Sequence, residues 1–209
     1  MTAVRAGEVR PRREAILACA AELFALRGYR ATSLADLAPA VGIAKATLFH
    51  YFRSKQQMLY ELYRQTMELA LTRLRAIAAG ATDPEETVRR MVFEHTLLIL
   101  ENRALFTIFF DEEGELAPSQ LRAIKGQQRA YIELIAGQVR RLKEAGRLQP
   151  GLTPRIAVQG LIGMASWVYR WYDPQRTLTP AEIAAELAQL ALGGLLRGRP
   201  SPVRPGVRR

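Results

Sequence analysis

The sequence predicts an all-α protein, and three observations carry the prediction. Apolar residues recur at i, i+3, i+4 and i+7 through most of the chain. No useful length of sequence alternates apolar and polar residues between turn residues, as a strand would. Helix starts are marked repeatedly by a capping side chain followed by proline and a carboxylate. The 209 residues, 49% apolar and 24% charged, suffice for a packed core, since a chain of about 150 residues already buries roughly 70% of its unfolded surface. Charges interrupt each apolar run before the roughly 18 uncharged residues a membrane span requires, so no membrane association is expected.

The elements follow in order. From Pro11 to Arg27, residues Ile16, Cys19, Ala20, Leu23 and Phe24 share one stripe, which places Cys19 in the core, and Gly28 ends the helix. Ser33 and Asp36 cap a short helix carrying Leu34, Leu37 and Ala38; Val41-Gly42-Ile43 turns the chain, and a second short helix starts at Lys45. Ser54-Lys55-Gln56-Gln57 opens a helix that shows Leu59, Leu62, Tyr63, Ala70, Leu74 and Ile77 on one face until Gly80. At 1.5 Å per residue it is about 37 Å long. Asp83-Pro84-Glu85-Glu86, Thr153-Pro154 and Thr179-Pro180-Ala181-Glu182 start later helices, giving segments near 84–101, 103–110, 119–145, 154–172 and 180–196. Residues 197–209 hold three prolines and five arginines, and a disordered basic tail is expected.

Charge divides the chain the same way. Residues 1–57 carry nine basic and four acidic side chains, residues 58–196 carry sixteen of each, and the tail has five arginines and no acid. The net charge of +10 therefore sits wholly at the two ends. Basic ends on a neutral middle suggest a polyanion-binding module, 1–57, joined to a body, 58–196, with another task. The opening residues lack the apolar run of a secretory signal, and Cys19 alone permits no internal disulfide, so a cytoplasmic protein is expected.

Residues 33–52 read as two short helices joined by a glycine turn, a helix-turn-helix. On the second helix Leu48 and Phe52 point inward, which leaves Lys45, Thr47, His50 and Tyr51 toward the surface, suitable groups for a major groove. The run Gly28-Tyr29-x-Ala31-Thr32-Ser33-Leu34-x-Asp36-Leu37-Ala38, then Val41-Gly42-Ile43-x-Lys45-Ala46-Thr47-Leu48-Phe49-His50-Tyr51-Phe52-x-Ser54-Lys55-x-x-Met58-Leu59, closely resembles the DNA-binding domain of the tetracycline-repressor (TetR) family. The resemblance implies a three-helix DNA-binding head, a larger helical body for ligand binding and dimerisation, and a transcriptional regulator, expected to be a repressor, that an effector releases from a double-stranded operator. By motif position Lys45, Thr47 and His50 become candidates for groove contacts, and Thr32, Ser33, Tyr51 and Lys55 for phosphate contacts. Two positions depart from the pattern: Pro39 falls inside the first helix of the motif, predicting a short or bent helix, and Ala44 stands where a serine often caps the recognition helix. Arg5, Arg10, Arg12 and Arg13 precede the first helix as a candidate arm for the DNA backbone or minor groove.

In the body, Ala157, Gly160, Leu161, Met164, Val168 and Trp171 make one face of the helix near 154–172, and Ile183, Leu187, Leu190 and Ala191 make a face of the next. In the family the last two helices build a four-helix dimer interface, so a homodimer is implied. An apolar effector pocket with a polar end is expected from Met91, His95, Phe106, Phe109, Phe110, Met164 and Trp167. Trp167-Val168-Tyr169-Arg170-Trp171-Tyr172-Asp173-Pro174 is similar to a subgroup governing fatty-acid, phenylacetate or steroid degradation, which implies an acyl-coenzyme A effector. Arg103, Arg140, Arg141, Arg170 and Arg176 are then candidates for coenzyme phosphates. Two rival readings remain: a DNA-architectural protein that binds without sequence preference, and an all-α enzyme acting on thioesters. The second has little support, because His50 and His95 are the only histidines, Cys19 has none nearby in sequence, and the acidic run Asp111, Glu112, Glu113 and Glu115 reads as a solvated loop. No catalytic residue, metal site or cofactor is expected.

Overall fold

Ten helical segments order the chain in the computed structural model, which describes residues 6–175 and 178–196, with side chains from residue 12 onward. The expectations for Arg5, Arg176 and the basic tail at 197–209 lie outside the described residues, and that for Arg10 outside the described side chains. The helices are α1 (Ala6–Arg27), α2 (Leu34–Ala40), α3 (Lys45–Tyr51), α4 (Lys55–Ala79), α5 (Pro84–Glu101), α6 (Arg103–Asp111), α7 (Pro118–Glu144), α8 (Pro154–Ser166), α9 (Val168–Trp171) and α10 (Pro180–Leu195). A single 3-10 turn, Glu113–Glu115, follows α6. No strand occurs among the described residues; Leu148 and Leu196 form one isolated antiparallel bridge. None of the described helices is long and apolar enough to cross a membrane.

Local chemistry fixes the ends. Ser33, Ser54, Asp83, Thr153 and Thr179 each accept the third following backbone N–H, satisfying a donor that the first turn would otherwise leave free. Ala44 supplies no such bond to α3, and α2 is only seven residues long around Pro39. Gly28 and Gly42 turn the chain at φ +86° and +70°, a region that a side chain at Cβ disfavours. Two expectations need correction. α1 begins at Ala6, ahead of Pro11, and buries Ile16, Leu17, Ala20, Ala21 and Phe24, so its core stripe is turned toward Leu17 and Ala21. Cys19 is left half-buried at the margin, with its thiol pKa raised by desolvation and then by Glu22.

The head packs α1 to α3 around Phe24, Leu37, Leu48 and Phe52, all within 1% of full burial. Arg13 lies 4.6 Å over the Phe52 ring and pairs at 3.0 Å with Glu61, tying the end of α3 to α1 and α4. In the body, α5 packs along α10 and α7, and α4 along α7. The segment predicted as one helix over 154–172 is two: α8 ends at Ser166, Trp167 is the corner, and Arg170 bonds back only three residues to the Trp167 carbonyl at 3.1 Å. That tighter turn leaves the Trp167 side chain 60% exposed.

Candidate nucleic-acid interface and effector cavity

α3 presents Lys45, Thr47, Phe49 and His50 on the exposed side of the head while Leu48 anchors it from below. The ammonium of Lys45 lies 5.9 Å from the Phe49 ring centroid, and His50 packs edge-on to Tyr51 at 5.7 Å. Tyr51 is half-buried against the core. Ser33 is exposed at the start of α2, where its hydroxyl and backbone N–H both donate to the Asp36 carboxylate at 2.6 and 2.7 Å. These bonds hold Asp36 below the usual carboxylate range. Phe49 was absent from the sequence candidates because the i, i+4 pattern of Leu48 and Phe52 gave it no role.

Two predicted phosphate contacts are placed differently. Thr32 is buried and its hydroxyl donates to the Gly28 carbonyl at 2.9 Å, so it closes the loop after α1 instead of facing a backbone phosphate. Lys55 turns its ammonium inward, donating to the carbonyls of Tyr29 at 2.7 Å, Thr32 at 2.8 Å and Arg30 at 3.4 Å, and lying 4.1 Å from the Tyr29 ring centroid. Three converging carbonyls and an aromatic face satisfy a compact cation fully, which makes Lys55 a clamp on residues 29–32. Motif position alone could not reveal this, because the loop carbonyls are invisible in side-chain sequence.

The acidic run is also corrected: it is an anchored junction, not a solvated loop. Glu112 accepts the Tyr29 backbone N–H at 3.2 Å, and Glu115 accepts from Arg30 Nε at 2.7 Å. Burial, then Glu115 and Glu112, pushes the Tyr29 phenol up to about 12. Asp111 accepts from Tyr169 at 2.9 Å and Arg170 at 3.1 Å, while Glu113 pairs with Lys125 at 2.7 Å. On the other side of this stretch, the buried Tyr63 hydroxyl donates to the carbonyls of Ile108 and Phe109 at 2.8 and 2.9 Å.

One turn back along α6, Phe106, Phe109 and Phe110 wall a cavity of about 210 Å³. Thr66, Met67 and Ala70 of α4, His95 of α5, Gln128, Tyr131 and Ile132 of α7, and Ile162 and Ser166 of α8 complete it. His95 is buried, with Nδ1 2.7 Å from the Tyr131 hydroxyl and Nε2 2.9 Å from Ser166 Oγ. Desolvation lowers its pKa from 6.5 to about 4 and raises that of Tyr131, so both are neutral at physiological pH. Of the predicted lining, His95, Phe106, Phe109 and Phe110 are brought together. Met91, Met164 and Trp167 are not: Met91 is sealed in the core, and Trp167 is exposed at the α8–α9 corner. Met164 stands two residues from both Ile162 and Ser166, about 200° around the helix, and so faces away. The α4 and α7 contributors were missed because their apolar stripe reads as ordinary core.

α8 and α10 form a second, open apolar surface. Gly160, Leu161, Met164, Ala157, Leu190 and Ala191 line a groove of about 270 Å³ with Ile156, which sequence reading missed. Ile156 and Leu190 are 61% and 63% exposed, and Trp171 is 50% exposed. Leu187 is half-buried, whereas Val168 and Ile183, predicted on the same faces, are buried within the chain. Of the arginines proposed for phosphates, the four that are described border neither that groove nor the cavity: Arg140 pairs with Glu133, Arg141 bonds the Thr82 carbonyl, Arg170 pairs with Asp111, and Arg103 lies on the groove between α1 and α6. Among the described residues no cluster of His, Cys, Asp or Glu could hold a metal ion.

Residues 16–62 match the family described as bacterial regulatory proteins, tetR family, and residues 81–195 match the tetracyclin repressor-like C-terminal domain. The chain is 31% identical over 199 residues to the HTH-type transcriptional repressor KstR2 of Mycobacterium tuberculosis, covering 92% of this chain and 96% of that one. The solved structure of that organism's ketosteroid transcriptional regulator KstR2 is similar with a TM-score of 0.84, at 27% identity, covering 90% of this chain and 96% of that one. AibR, solved in complex with isovaleryl coenzyme A and operator DNA, is similar with a TM-score of 0.78 at 26% identity, covering 86% of this chain and 97% of AibR.

Proposed function

Because the chain belongs to the TetR family and is a DNA-binding transcriptional repressor, we propose that it acts as a homodimer whose grip on an operator is released when a small apolar acyl group, carried as a coenzyme A thioester, enters the α6-walled cavity. The gene set under its control is then one for fatty-acid, phenylacetate, steroid or related degradation. The observation that carries this reading is the position of α6. The helix that supplies three phenylalanines to the cavity ends in the acidic turn that holds Tyr29 and Arg30 of the head. A ligand that displaces α6 must strain those contacts or carry the head with it. KstR2 is a ketosteroid transcriptional regulator and AibR was solved with isovaleryl coenzyme A, which supports the ligand class without fixing the acyl chain.

Lys45, Thr47 and His50 read base edges in this arrangement, Ser33 and Tyr51 stand toward the phosphates, and two heads related by a dimer axis read a pseudo-palindrome. The exposed Leu190 and Ile156 supply the centre of the dimer face. The test is a footprint on the DNA flanking the gene, repeated with a panel of acyl-coenzyme A thioesters and their free acids. Protection of one discrete pseudo-palindrome, lost with a thioester and kept with the matching acid, is the expected outcome. Protection without sequence preference would favour the architectural reading, and release by none of the thioesters would remove the effector class. Leu190→Glu is expected to give a monomer in light scattering that no longer protects the operator.

A further inference from the structure

Counting hydrogens at the polar end of the cavity shows what its ligand must offer. The neutral His95 ring carries one hydrogen, and the Tyr131 and Ser166 hydroxyls carry one each. The two bonds within this chain use two of the three. If the ring donates from Nε2, the spare hydrogen is on Ser166; if it donates from Nδ1, the spare is on Tyr131. Either way one O–H donor remains at the cavity wall, and among the described residues neither hydroxyl has a second partner. The nearby side-chain donors are committed elsewhere: the Thr66 hydroxyl donates to the Leu62 carbonyl at 2.8 Å, and Gln128 Nε2 donates to Glu113.

That donor is buried if it is on Tyr131 and partly buried if it is on Ser166, and leaving it without an acceptor is costly, so the wall favours a ligand that brings one. Among the described residues, no Asp, Glu, Lys or Arg lines the cavity. A carboxylate would satisfy the donor but would surrender its hydration with no cation in return. At about 210 Å³ the space is below the roughly 300 Å³ where drug-sized sites begin, which suits a ring or a short branched chain. We infer that the cavity selects an uncharged carbonyl oxygen, as in a thioester, ester or ketone, on a small apolar body, held by the spare hydrogen of the Tyr131, His95 and Ser166 chain. This rests on the cavity being the effector site proposed above.

Cyclohexanone, methylenecyclohexane and cyclohexanecarboxylate share one ring and differ only in what it carries. Calorimetric titration of the full chain at neutral pH is expected to show the ketone binding about tenfold tighter than the hydrocarbon, the order of one net hydrogen bond, and the carboxylate weakest of the three. The carbonyl carbon of bound, labelled cyclohexanone is expected to show the chemical shift of a hydrogen-bonded ketone. Replacing all three polar members by apolar groups together (His95→Leu, Tyr131→Phe, Ser166→Ala) leaves none of them unpaired. In that variant the ketone is expected to lose its advantage and its shifted resonance. Equal binding of ketone and hydrocarbon, a preference for the carboxylate, or an advantage that survives the triple replacement overturns the inference while leaving the cavity a ligand site. Binding of none of the three overturns the cavity itself as the effector site, and the inference with it, and the operator footprint would be unaffected.

Discussion

Two polar networks lie along the same stretch of α6 and are held by different physics. In the cavity, Tyr131, His95 and Ser166 form a neutral chain in which Tyr131 and His95 are buried and Ser166 is half-buried. At the head junction, Glu112 and Glu115 hold Tyr29 and Arg30 through charge, with the Arg30 side chain 85% exposed and that of Glu115 23% exposed. Inside, low polarizability makes each unmet donor expensive, so the network specifies one arrangement and one kind of partner. Outside, water and salt screen the charges, so the contact is weak enough to be broken and remade. A regulator needs both kinds: a selective interior to read a ligand and a yielding junction to report it. The Phe106, Phe109 and Phe110 wall and the acidic turn place the two within one short helix of each other.

The largest expected effect separates the networks by pH. Unfolded, the His95 ring takes a proton below about its ordinary 6.5; folded, it resists to about 4. In that window the unfolded state binds the extra proton, so stability present above pH 6.5 is lost as pH falls, by about 3 kcal/mol once below the folded pKa. Urea denaturation of the wild type and of His95→Leu across this range isolates the contribution, because carboxylate titration is common to both. A difference between them that stays constant with pH would show that the ring is not held neutral. His95→Leu itself is expected to cost about 1–3 kcal/mol at neutral pH, since it strands two hydroxyls, and the triple apolar variant less.

Lys55 comes next and tests what the junction is made of. Lys55→Met removes a cation from three carbonyls and an aromatic ring, which is expected to cost about 1–2 kcal/mol and to speed hydrogen exchange at Thr32, whose backbone N–H donates to the Tyr29 carbonyl. Operator affinity is expected to fall equally for all sequences, through disorder of the loop that leads into α2. The salt dependence distinguishes this from a lost phosphate contact. A phosphate contact would flatten the slope of log K against log salt by about 0.9, whereas a clamp leaves the slope unchanged.

The architecture was legible because helix periodicity and caps are local signals. Ser54, Asp83, Thr153 and Thr179 marked starts that the structure repeats, and the helix-turn-helix stood in twenty consecutive residues, 33–52. The placement of side chains was legible where it follows from a helix face, as for Lys45 and Thr47, exposed on α3, or Phe106, Phe109 and Phe110, gathered on α6. It failed where a side chain answers to a distant backbone. Lys55 looks like a phosphate ligand until the Tyr29 and Thr32 carbonyls are placed around it, and Glu112 looks solvated until the Tyr29 N–H is placed beside it. Trp167 failed for a third reason, a corner after α8 that no proline or glycine announces there, and Met164 because it lies on the face of α8 turned away from Ile162 and Ser166.

The smallest expected effect is also the one that sharpens the contrast most. Arg30 meets Glu115 at 2.6 Å, but its side chain is 85% exposed, so the attraction is felt through water. Arg30→Gln removes the charge and keeps a side chain long enough to reach the same carboxylate. Its stability cost at low ionic strength is expected to be smaller than that of Lys55→Met and to vanish near 1 M salt, where the screening length is only about 3 Å. The cost of Lys55→Met is expected to persist there, because its carbonyl partners lie within direct contact of a half-buried ammonium. Urea titrations of both variants at low and high salt decide the point. If the Arg30→Gln cost survived in high salt, the junction would be a desolvated ion pair of the same kind as the interior, and it could not serve as the yielding half of the mechanism. If it vanishes while operator affinity also becomes less responsive to occupancy of the cavity, a contact of little energetic weight is carrying the signal. That is possible because transmission depends on the difference between two states of a contact, and not on how much the contact adds to either.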